Sequence, residues 1–253
     1  MGSSARQTVP TPVGDSVVGV VTLLTRFPVK STAGETLSAA TLDHRGLVHD
    51  RHWGVYTADG GIASGKTSRR FRKVAGLMDW RSTMSATAGD HGALLHSPDG
   101  ITYRVDSPAA TEALSQALGQ PLTLRPETTV PHHDDCGIHL VTTSSVREVA
   151  QLVGNRVDVR RSRANIVLGT DGTGFIEDSW SGAELAIGPE VVLGLGPGMP
   201  RCVMVDQPQV DVPADAPMLK ALGRAHDVLL GLQAHVIRTG TISLGDEARL
   251  TVG

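Results

Sequence analysis

Short apolar runs separated by turn residues dominate the hydrophobic pattern of this chain. Residues 17–24 are rich in β-branched residues and leucine, which is typical of a buried strand. Residues 59–61 form a hairpin signal, and residues 90–92 and 98–100 are further turn signals. The other predicted strands are residues 41–43, 53–56, 62–63, 93–95, 101–105, 234–237, 241–244 and 248–252. Many short strands at regular spacing predict a barrel-like β architecture.

Helix signals are confined to three short segments, each of which ends before a glycine. Ser107 is an N-cap candidate, and Pro108 occupies the first helical position after it. The predicted helices cover residues 107–118, 144–152 and 216–222. Few helices beside many strands indicate a mainly β fold of the α+β class, with the helices packed on the barrel.

The chain divides into a leader and two structured parts. Residues 1–15 contain Ser, Thr, Pro and Gly without the apolar core of a signal peptide, so we expect a disordered leader. The sequence predicts a domain boundary near residues 120–131. It separates a subdomain, residues 16–125, from a domain, residues 126–253. No stretch approaches 18 apolar residues, so we expect a cytoplasmic protein without a membrane partner.

The amino-acid composition excludes some classes of function. Of 253 residues, 40% are hydrophobic and 19% are charged, and the mean hydropathy is −0.03, as in an ordinary globular protein. Asp and Glu number 26 against 23 Lys and Arg, which gives a net charge of −3. With only 3% aromatic residues as well, the chain lacks both the cationic surplus and the stacking platforms of a nucleic-acid binder.

The chain has two cysteines, Cys136 and Cys202. Two thiols are too few for a disulfide framework, a zinc ribbon or a four-thiolate iron–sulfur cluster. Cys202 follows a run of glycines and prolines and is adjacent to Arg201. A neighbouring cation favours a thiolate, which can bind a soft metal or carry sulfur. A buried structural cysteine is the alternative interpretation of the same residue.

Two local motifs fit a known spacing but lack its context. His133, Cys136 and His139 have an H-x2-C-x2-H spacing, but a fourth ligand is missing and Gly137 breaks any helix, so we expect a loop rather than a zinc site. Residues 60–67 fit the spacing G-x4-G-K-T of a P-loop. A P-loop needs a buried strand before it, whereas these residues begin in a hairpin signal, so we expect no nucleotide site.

Basic residues are grouped in separate short runs. Residues 68–73 and 160–163 each carry several arginines, and residues 45–53 are dense in titratable groups. A guanidinium group can donate two parallel hydrogen bonds to one phosphate, so these runs are candidates for anion binding. A solvated surface is the alternative for any one run.

Five ordered motifs together resemble the MOSC family, whose domain also occurs at the C-terminus of molybdenum-cofactor sulfurases. Residues 26–31 are similar to the family segment YPVKS, and residues 46–53 to GL..DR.W. Residues 163–167 resemble RPNIV with Ala164 in place of the proline, residues 177–180 resemble ED.W, and residues 201–202 match the RC pair. The amidoxime-reducing branch, in which an N-terminal β-barrel subdomain is fused to the MOSC domain, is the closest comparison. The resemblance therefore implies a MOSC-type β-barrel with such a subdomain.

The resemblance also implies a molybdenum–pterin cofactor, molybdopterin, and a set of site residues. Cys202 matches the cysteine that coordinates molybdenum in the family and is the expected catalytic residue. Thr143 to Ser145 lie at a predicted helix start, where backbone N–H groups can hold an anion. The expected cofactor-binding residues are Lys30, Ser31, Arg51, Thr143, Ser144, Ser145, Arg163 and Asn165. No pyridoxal phosphate site is expected.

The function implied is that of a molybdenum-dependent oxidoreductase that removes oxygen from an N-hydroxylated small-molecule substrate. The chain has too few cysteines for an iron–sulfur cluster of its own and no dinucleotide fingerprint. We therefore expect electrons from a separate partner, such as a ferredoxin or a flavoprotein reductase. Two alternatives stay open: a sulfur carrier with a persulfide on Cys202, and a non-catalytic module that binds or delivers the cofactor.

Overall fold

The computed structural model describes residues 16–85, 92–214 and 216–251. The predicted leader lies outside the described residues, as does most of the turn signal at residues 90–92. The strands are β1 (Ser16–Arg26), β2 (Glu35–Leu37), β3 (Ala39–Asp43), β4 (Gly46–Leu47), β5 (Trp53–Thr57), β6 (Ile62–Ser64), β7 (Phe71–Lys73), β8 (Arg81–Met84), β9 (Ala93–His96), β10 (Thr102–Arg104), β11 (Leu122–Pro126), β12 (Ile138–Thr142), β13 (Ile166–Gly169), β14 (Glu184–Ile187), β15 (Val191–Pro200), β16 (Leu229–Arg238), β17 (Gly240–Ser243) and β18 (Glu247–Thr251). The α-helices are α1 (Pro108–Ala117), α2 (Thr143–Val153) and α3 (Met218–Ala225). Short 3-10 helices cover Leu77–Asp79, Val159–Ser162, Ile176–Trp180 and Val203–Asp206. The predicted mainly β fold with a few helices is confirmed.

Seven strands close into a barrel that joins the two ends of the chain. In order they are β1, β13, β12, β16, β15, β14 and β18, and β18 pairs with β1 again. Neighbouring strands are antiparallel except β12 and β13, which are parallel and are connected through α2. A parallel pair needs such a crossover, because a tight turn cannot return the chain to the same end. The barrel interior is filled by fully buried apolar side chains that include Leu24, Ile166, Leu185, Leu193 and Leu250.

The remaining strands form small sheets beside the barrel. One sheet has the order β11–β5–β6–β7, and its β5–β6 hairpin places Tyr56 opposite Ile62, as the turn signal predicts. A second sheet contains β8, β9 and β10, and α1 packs beside it with Ser107 as its N-cap. The side chains of Trp80 and Leu114 are buried between these elements in a core separate from the barrel interior.

Two strand pairings link the predicted subdomain to the predicted domain. Strand β1 belongs to the N-terminal half but closes the barrel, and β17 from the C-terminal half pairs with β3. The boundary at residues 125 and 126 stays a prediction. Residues from both halves are nevertheless required to complete the barrel.

Differences from the predicted elements have local physical causes. Helix α3 continues through Gly223 to Ala225, because Gly223 lacks a positive φ and the His226 amide donates to Leu222. Only a left-handed conformation makes a glycine an effective helix stop. Strands β12 to β15 are absent from the predicted set, because the periodicity of a short apolar run does not distinguish a buried strand from a buried helical segment.

A buried carboxylate anchors the start of α2. Glu177 is fully buried in the 3-10 helix Ile176–Trp180, and its oxygens accept hydrogen bonds from Thr142 Oγ1 at 2.7 Å and Ser145 Oγ at 2.6 Å. Burial raises the pKa of this carboxyl group. These contacts hold the helix against the segment between β13 and β14.

Replacing Glu177 by alanine should lower the free energy of unfolding by about 1–3 kcal/mol, because two buried hydroxyls lose their acceptor. Urea unfolding measures this change. The matched control is Glu184→Ala, at an exposed position in β14, for which about 0.5 kcal/mol or less is expected. Equal losses in the two variants would contradict the anchoring role of Glu177.

Candidate functional site

Residues that are distant in sequence line one cavity of about 250 Å³. They come from the loop after β1, the loop between β4 and β5, the segment after β6, the loop before β12, the segment before β13 and the end of β15. Six of the predicted site residues are among them: Lys30, Ser31, Arg51, Arg163, Asn165 and Cys202. Because these six belong to four different segments of the predicted motifs, only the tertiary fold brings them together.

The structure does not bring Thr143, Ser144 and Ser145 to this cavity. Thr143 Oγ1 donates to the Thr170 carbonyl at 3.0 Å, and Ser144 Oγ donates to the Asp171 carbonyl at 2.7 Å. Ser145 is fully buried against the Glu177 carboxylate. These hydroxyls hold α2 in place, so they are not free to bind a ligand in the cavity.

A fully buried carboxylate, Asp50, organises the wall of the cavity. It accepts hydrogen bonds from the Phe27 amide at 2.7 Å and Asn165 Nδ2 at 3.1 Å, lies 3.3 Å from His133 Nε2, and forms an ion pair with Arg51. Burial favours the neutral acid, but Arg51, His133 and the Phe27 amide outweigh it and lower the pKa of Asp50 to about 2. Asp50 therefore stays ionised and fixes the groups around it.

Two arginines lie close to the ring of Phe27. The guanidinium carbon of Arg51 lies 4.7 Å from the ring centroid and that of Arg163 lies 4.2 Å away. Both residues have left-handed backbones, with φ of 52° and 54°. Arg163 is further held by bonds to the Thr32 carbonyl at 2.8 Å and Gln209 Oε1 at 3.1 Å. Burial and the charge of Arg51 lower the pKa of Arg163 to about 9, so the Arg163 side chain is still cationic at neutral pH.

Two lysines share one carboxylate at the opposite wall. Asp134 forms an ion pair with Lys30, and its second oxygen lies 2.6 Å from Lys66 Nζ. Both ammonium groups also lie over the ring of Phe71, at 4.7 Å and 4.9 Å from its centroid. Burial lowers the pKa of Lys30 to about 8 despite the opposing charge of Asp134. The two lysines place positive charge where an anion in the cavity would lie.

Cys202 lies between the end of β15 and the 3-10 helix Val203–Asp206. The adjacent Arg201 is held by a bond from Nη2 to the Ser162 carbonyl at 2.7 Å, and its backbone amide donates to Val228. Arg201 Nε is a buried donor with no hydrogen-bond partner among the described residues. A buried N–H group without an acceptor is costly, so the geometry suits a ligand that supplies one.

Several residues of the cavity are absent from the predicted site. Cys136 lines the same cavity as Cys202, its thiol donates to the Ile138 carbonyl at 2.9 Å, and burial raises its pKa. Lys66 lies in the segment with P-loop spacing, residues 60–67, and Asp134 lies in the segment with H-x2-C-x2-H spacing. Both patterns therefore mark segments that line the cavity.

His133 and His139 of the same run also line the cavity. His139 Nε2 lies 2.9 Å from the Leu230 carbonyl, and burial lowers its pKa well below the usual value. Within residues 16–85, 92–214 and 216–251, no group of three His, Cys, Asp or Glu side chains is arranged to hold a metal ion.

Two family models match almost the whole described chain. Residues 18–117 match the MOSC N-terminal beta barrel domain, and residues 127–249 match the MOSC domain. The chain belongs to the MOSC family. MOSC domains are associated with molybdenum-cofactor binding. The cavity of this MOSC protein lies where residues from both matched regions meet.

Solved structures with detectable similarity are distant from this MOSC chain. The YUAD protein from Bacillus subtilis is 14% identical, with 92% of this chain and 95% of that chain covered and a TM-score of 0.49. YiiM from Geobacillus stearothermophilus is 15% identical, with 47% and 55% covered and a TM-score of 0.35. No functionally curated protein matches the sequence. None of the three α-helices in the described residues has the length and apolar composition that crossing a bilayer requires.

Sulfate binding to the cavity should weaken as the pH rises through about 8, the pKa of Lys30. Below that pH the ammonium group is charged and attracts the anion, and above it the protein must first take up a proton. From pH 7 to pH 8.5 the dissociation constant should rise about fourfold. In Lys30→Ala the dissociation constant at pH 7 should be about tenfold higher than in the wild-type protein, and it should be nearly independent of pH over this range.

Isothermal titration calorimetry measures these affinities, with the exposed Lys73→Ala as the matched control. Sulfate is a suitable probe because it stays a dianion throughout this pH range. The control variant should keep the wild-type affinity and the wild-type pH dependence. A flat pH profile in the wild-type protein would contradict the assigned role of Lys30.

Proposed function

We propose that this MOSC protein binds a molybdenum–pterin cofactor in the cavity and is a molybdenum-dependent oxidoreductase. The observation that carries the proposal is the convergence of Lys30, Ser31, Arg51, Arg163 and Cys202 on one cavity. Cations and a hydroxyl suit the phosphate of such a cofactor, and a thiolate suits its metal. The residues of this chain therefore fit the cofactor that is associated with the family.

The cationic residues would hold the phosphate and pterin. Arg51 and Arg163 are fixed by Asp50, Phe27 and backbone carbonyls before any ligand arrives. Such preorganisation reduces the entropy lost on binding. Arg201 Nε is a donor that still needs an acceptor, and the pterin ring offers several. Two walls of the cavity thus supply donors that match an anionic, heteroatom-rich ligand.

Cys202 would be the ligand that the chain contributes to molybdenum. Both cysteines are partly exposed at the cavity, but the Cys136 thiol already donates to a carbonyl and burial raises its pKa. A protonated thiol is a poor metal ligand, so Cys136 is the weaker candidate. When bound, the cofactor supplies a redox centre that can transfer two electrons and accept oxygen.

The proposed reaction is the two-electron reduction of an N-hydroxylated small molecule. In balanced form, the N–OH group of the substrate gains two electrons and two protons, its N–O bond breaks, and an N–H group and one water molecule form. The electrons come from a separate protein of the ferredoxin or flavoprotein class. The chain's own contribution is to fix the cofactor, to shield it in the cavity and to present the thiolate.

Cys202→Ser should abolish turnover and lower the molybdenum content of protein made in a host that synthesises the cofactor, because the chain loses its metal ligand. Cys136→Ser is the matched control and should retain both. Elemental analysis and an anaerobic hydroxylamine-reduction assay measure the two effects, and circular dichroism checks folding. Equal losses in two folded variants would remove the special role of Cys202. Protein that holds no molybdenum but carries a persulfide on Cys202 would support the sulfur-carrier alternative instead.

The purified protein alone should not oxidise NADH in the presence of an amidoxime or hydroxylamine. The reason is that the chain has no dinucleotide fingerprint and too few cysteines for an iron–sulfur relay. Turnover should appear with reduced viologen or with an added ferredoxin or flavoprotein reductase. An anaerobic assay that offers each donor separately tests this expectation. Rapid NADH oxidation by the protein alone would contradict it.

A further inference from the structure

A second concave surface, here called the arginine cleft, lies on the sheet β11–β5–β6–β7. It is a broad, open cleft of about 720 Å³. Its charged lining residues are Arg69, Arg70, Arg72, Arg125 and Asp59. Four arginines against one aspartate make the cleft strongly positive, although the whole chain carries −3. A positive surface on an acidic protein needs a specific explanation.

Most of this charge is not neutralised within the described part of the chain. Arg72 pairs with Asp59 at 2.6 Å, and both side chains are substantially exposed. Arg70 instead donates to the backbone carbonyls of Pro131 and His133, and Arg125 lies 5.1 Å from the ring centroid of Tyr56. These contacts orient the guanidinium groups and leave their charges uncompensated. The cleft is therefore preorganised for an anionic partner.

The arginine cleft lies directly beside the candidate cofactor cavity. The segment from β6 to β7 contributes Lys66 to the cavity and Arg70 to the cleft. The ring of Phe71 contacts both, with Lys66 Nζ at 4.9 Å and the Arg70 guanidinium carbon at 5.4 Å from its centroid. His133 lines the cavity, while its carbonyl accepts from Arg70. One layer of side chains thus separates the two concave surfaces.

We propose that the arginine cleft is the docking surface for an acidic electron-transfer protein, of the ferredoxin or flavodoxin class. This inference rests on the proposed redox function and adds the place where electrons enter. Complementary charge steers two proteins together and orients them, and arginine is enriched at protein interfaces. Val130 on the rim is 52% exposed, which gives the partner an apolar contact beside the charges. The partner's redox group would then face the side of the cavity that Lys66 lines.

A protein partner fits the cleft better than a nucleic acid or an anionic membrane. The chain as a whole is acidic, so an extended polyanion would be repelled beyond the cleft itself. A compact protein with a local acidic patch can match four arginines without meeting the acidic remainder of the surface. The favoured occupant is therefore a small acidic redox protein.

The decisive experiment combines charge reversal with two electron donors. Arg69 and Arg125 are exposed and lie outside the cofactor cavity, so Arg69→Glu/Arg125→Glu should fold normally. With a reduced acidic [2Fe–2S] ferredoxin as donor, kcat/KM should fall at least about tenfold at low ionic strength. With reduced methyl viologen, which needs no docking surface, the rate should not fall. Raising the salt concentration should slow the ferredoxin reaction of the wild-type protein and should affect the variant less.

A matched control reverses two exposed arginines elsewhere, Arg156→Glu/Arg224→Glu. This variant has the same net charge as the cleft variant, so its ferredoxin rate should stay within about twofold of the wild type. Equal ferredoxin rates in wild type and cleft variant, with viologen turnover intact, would overturn the docking site and leave the proposed function standing. Equal losses in the cleft and control variants would also overturn it, because net charge alone would then explain the effect.

Direct binding separates the docking site from the proposed function. Calorimetry with oxidised ferredoxin should show binding to the wild-type and control proteins and at least about tenfold weaker binding to the cleft variant. If neither donor supports turnover in protein that holds molybdenum, the proposed oxidoreductase function is wrong. The calorimetric titration then decides by itself whether the arginine cleft is a docking site. Absence of ferredoxin binding, or cleft-dependent binding to phosphatidylserine vesicles or single-stranded DNA in its place, would overturn the proposal.

Discussion

The buried charge of Asp50 is the constraint on which the site depends. A carboxylate with no exposed surface is tolerated only when donors surround it. Its donors come from the end of β1, from Arg51 beside it, from Asn165 before β13 and from His133 in the loop before β12. Satisfying one charge therefore fixes four segments of the chain relative to one another. The cavity is the space that these segments enclose.

The cavity carries more positive than negative charge, and the fold holds that excess in place in two ways. On one wall, Arg51 and Arg163 both lie against the Phe27 ring, where the aromatic ring partly replaces water. On the other wall, Asp134 links Lys30 to Lys66. An incoming anion would compete with Asp134 for these ammonium groups. Binding therefore exchanges one ion pair for another, which favours a strongly charged ligand such as a phosphate over a neutral one.

The path of the chain explains why the candidate cofactor cavity and the arginine cleft are adjacent. Strand β1 crosses from the N-terminal half into the barrel, and the loop that follows it supplies Lys30 to the cavity. The small sheet with β6 and β7 then contributes one face to the cavity and another to the arginine cleft. A single strand–loop–strand unit thus joins the candidate redox site to the surface where electrons would arrive.

The sequence by itself determined the mainly β class, the family, the N-cap at Ser107 and six residues of the cavity, because short-range patterns and ordered motifs record these features locally. Only the tertiary structure decided that β1 closes the barrel, that Cys136 and Lys66 face the same cavity, and that Thr143 to Ser145 do not. Hydroxyl residues at the start of a helix form the same sequence pattern whether they bind a ligand or form hydrogen bonds within the protein. Long-range contacts made that choice, because Ser145 donates to the buried Glu177 carboxylate while Thr143 and Ser144 donate to the carbonyls of Thr170 and Asp171.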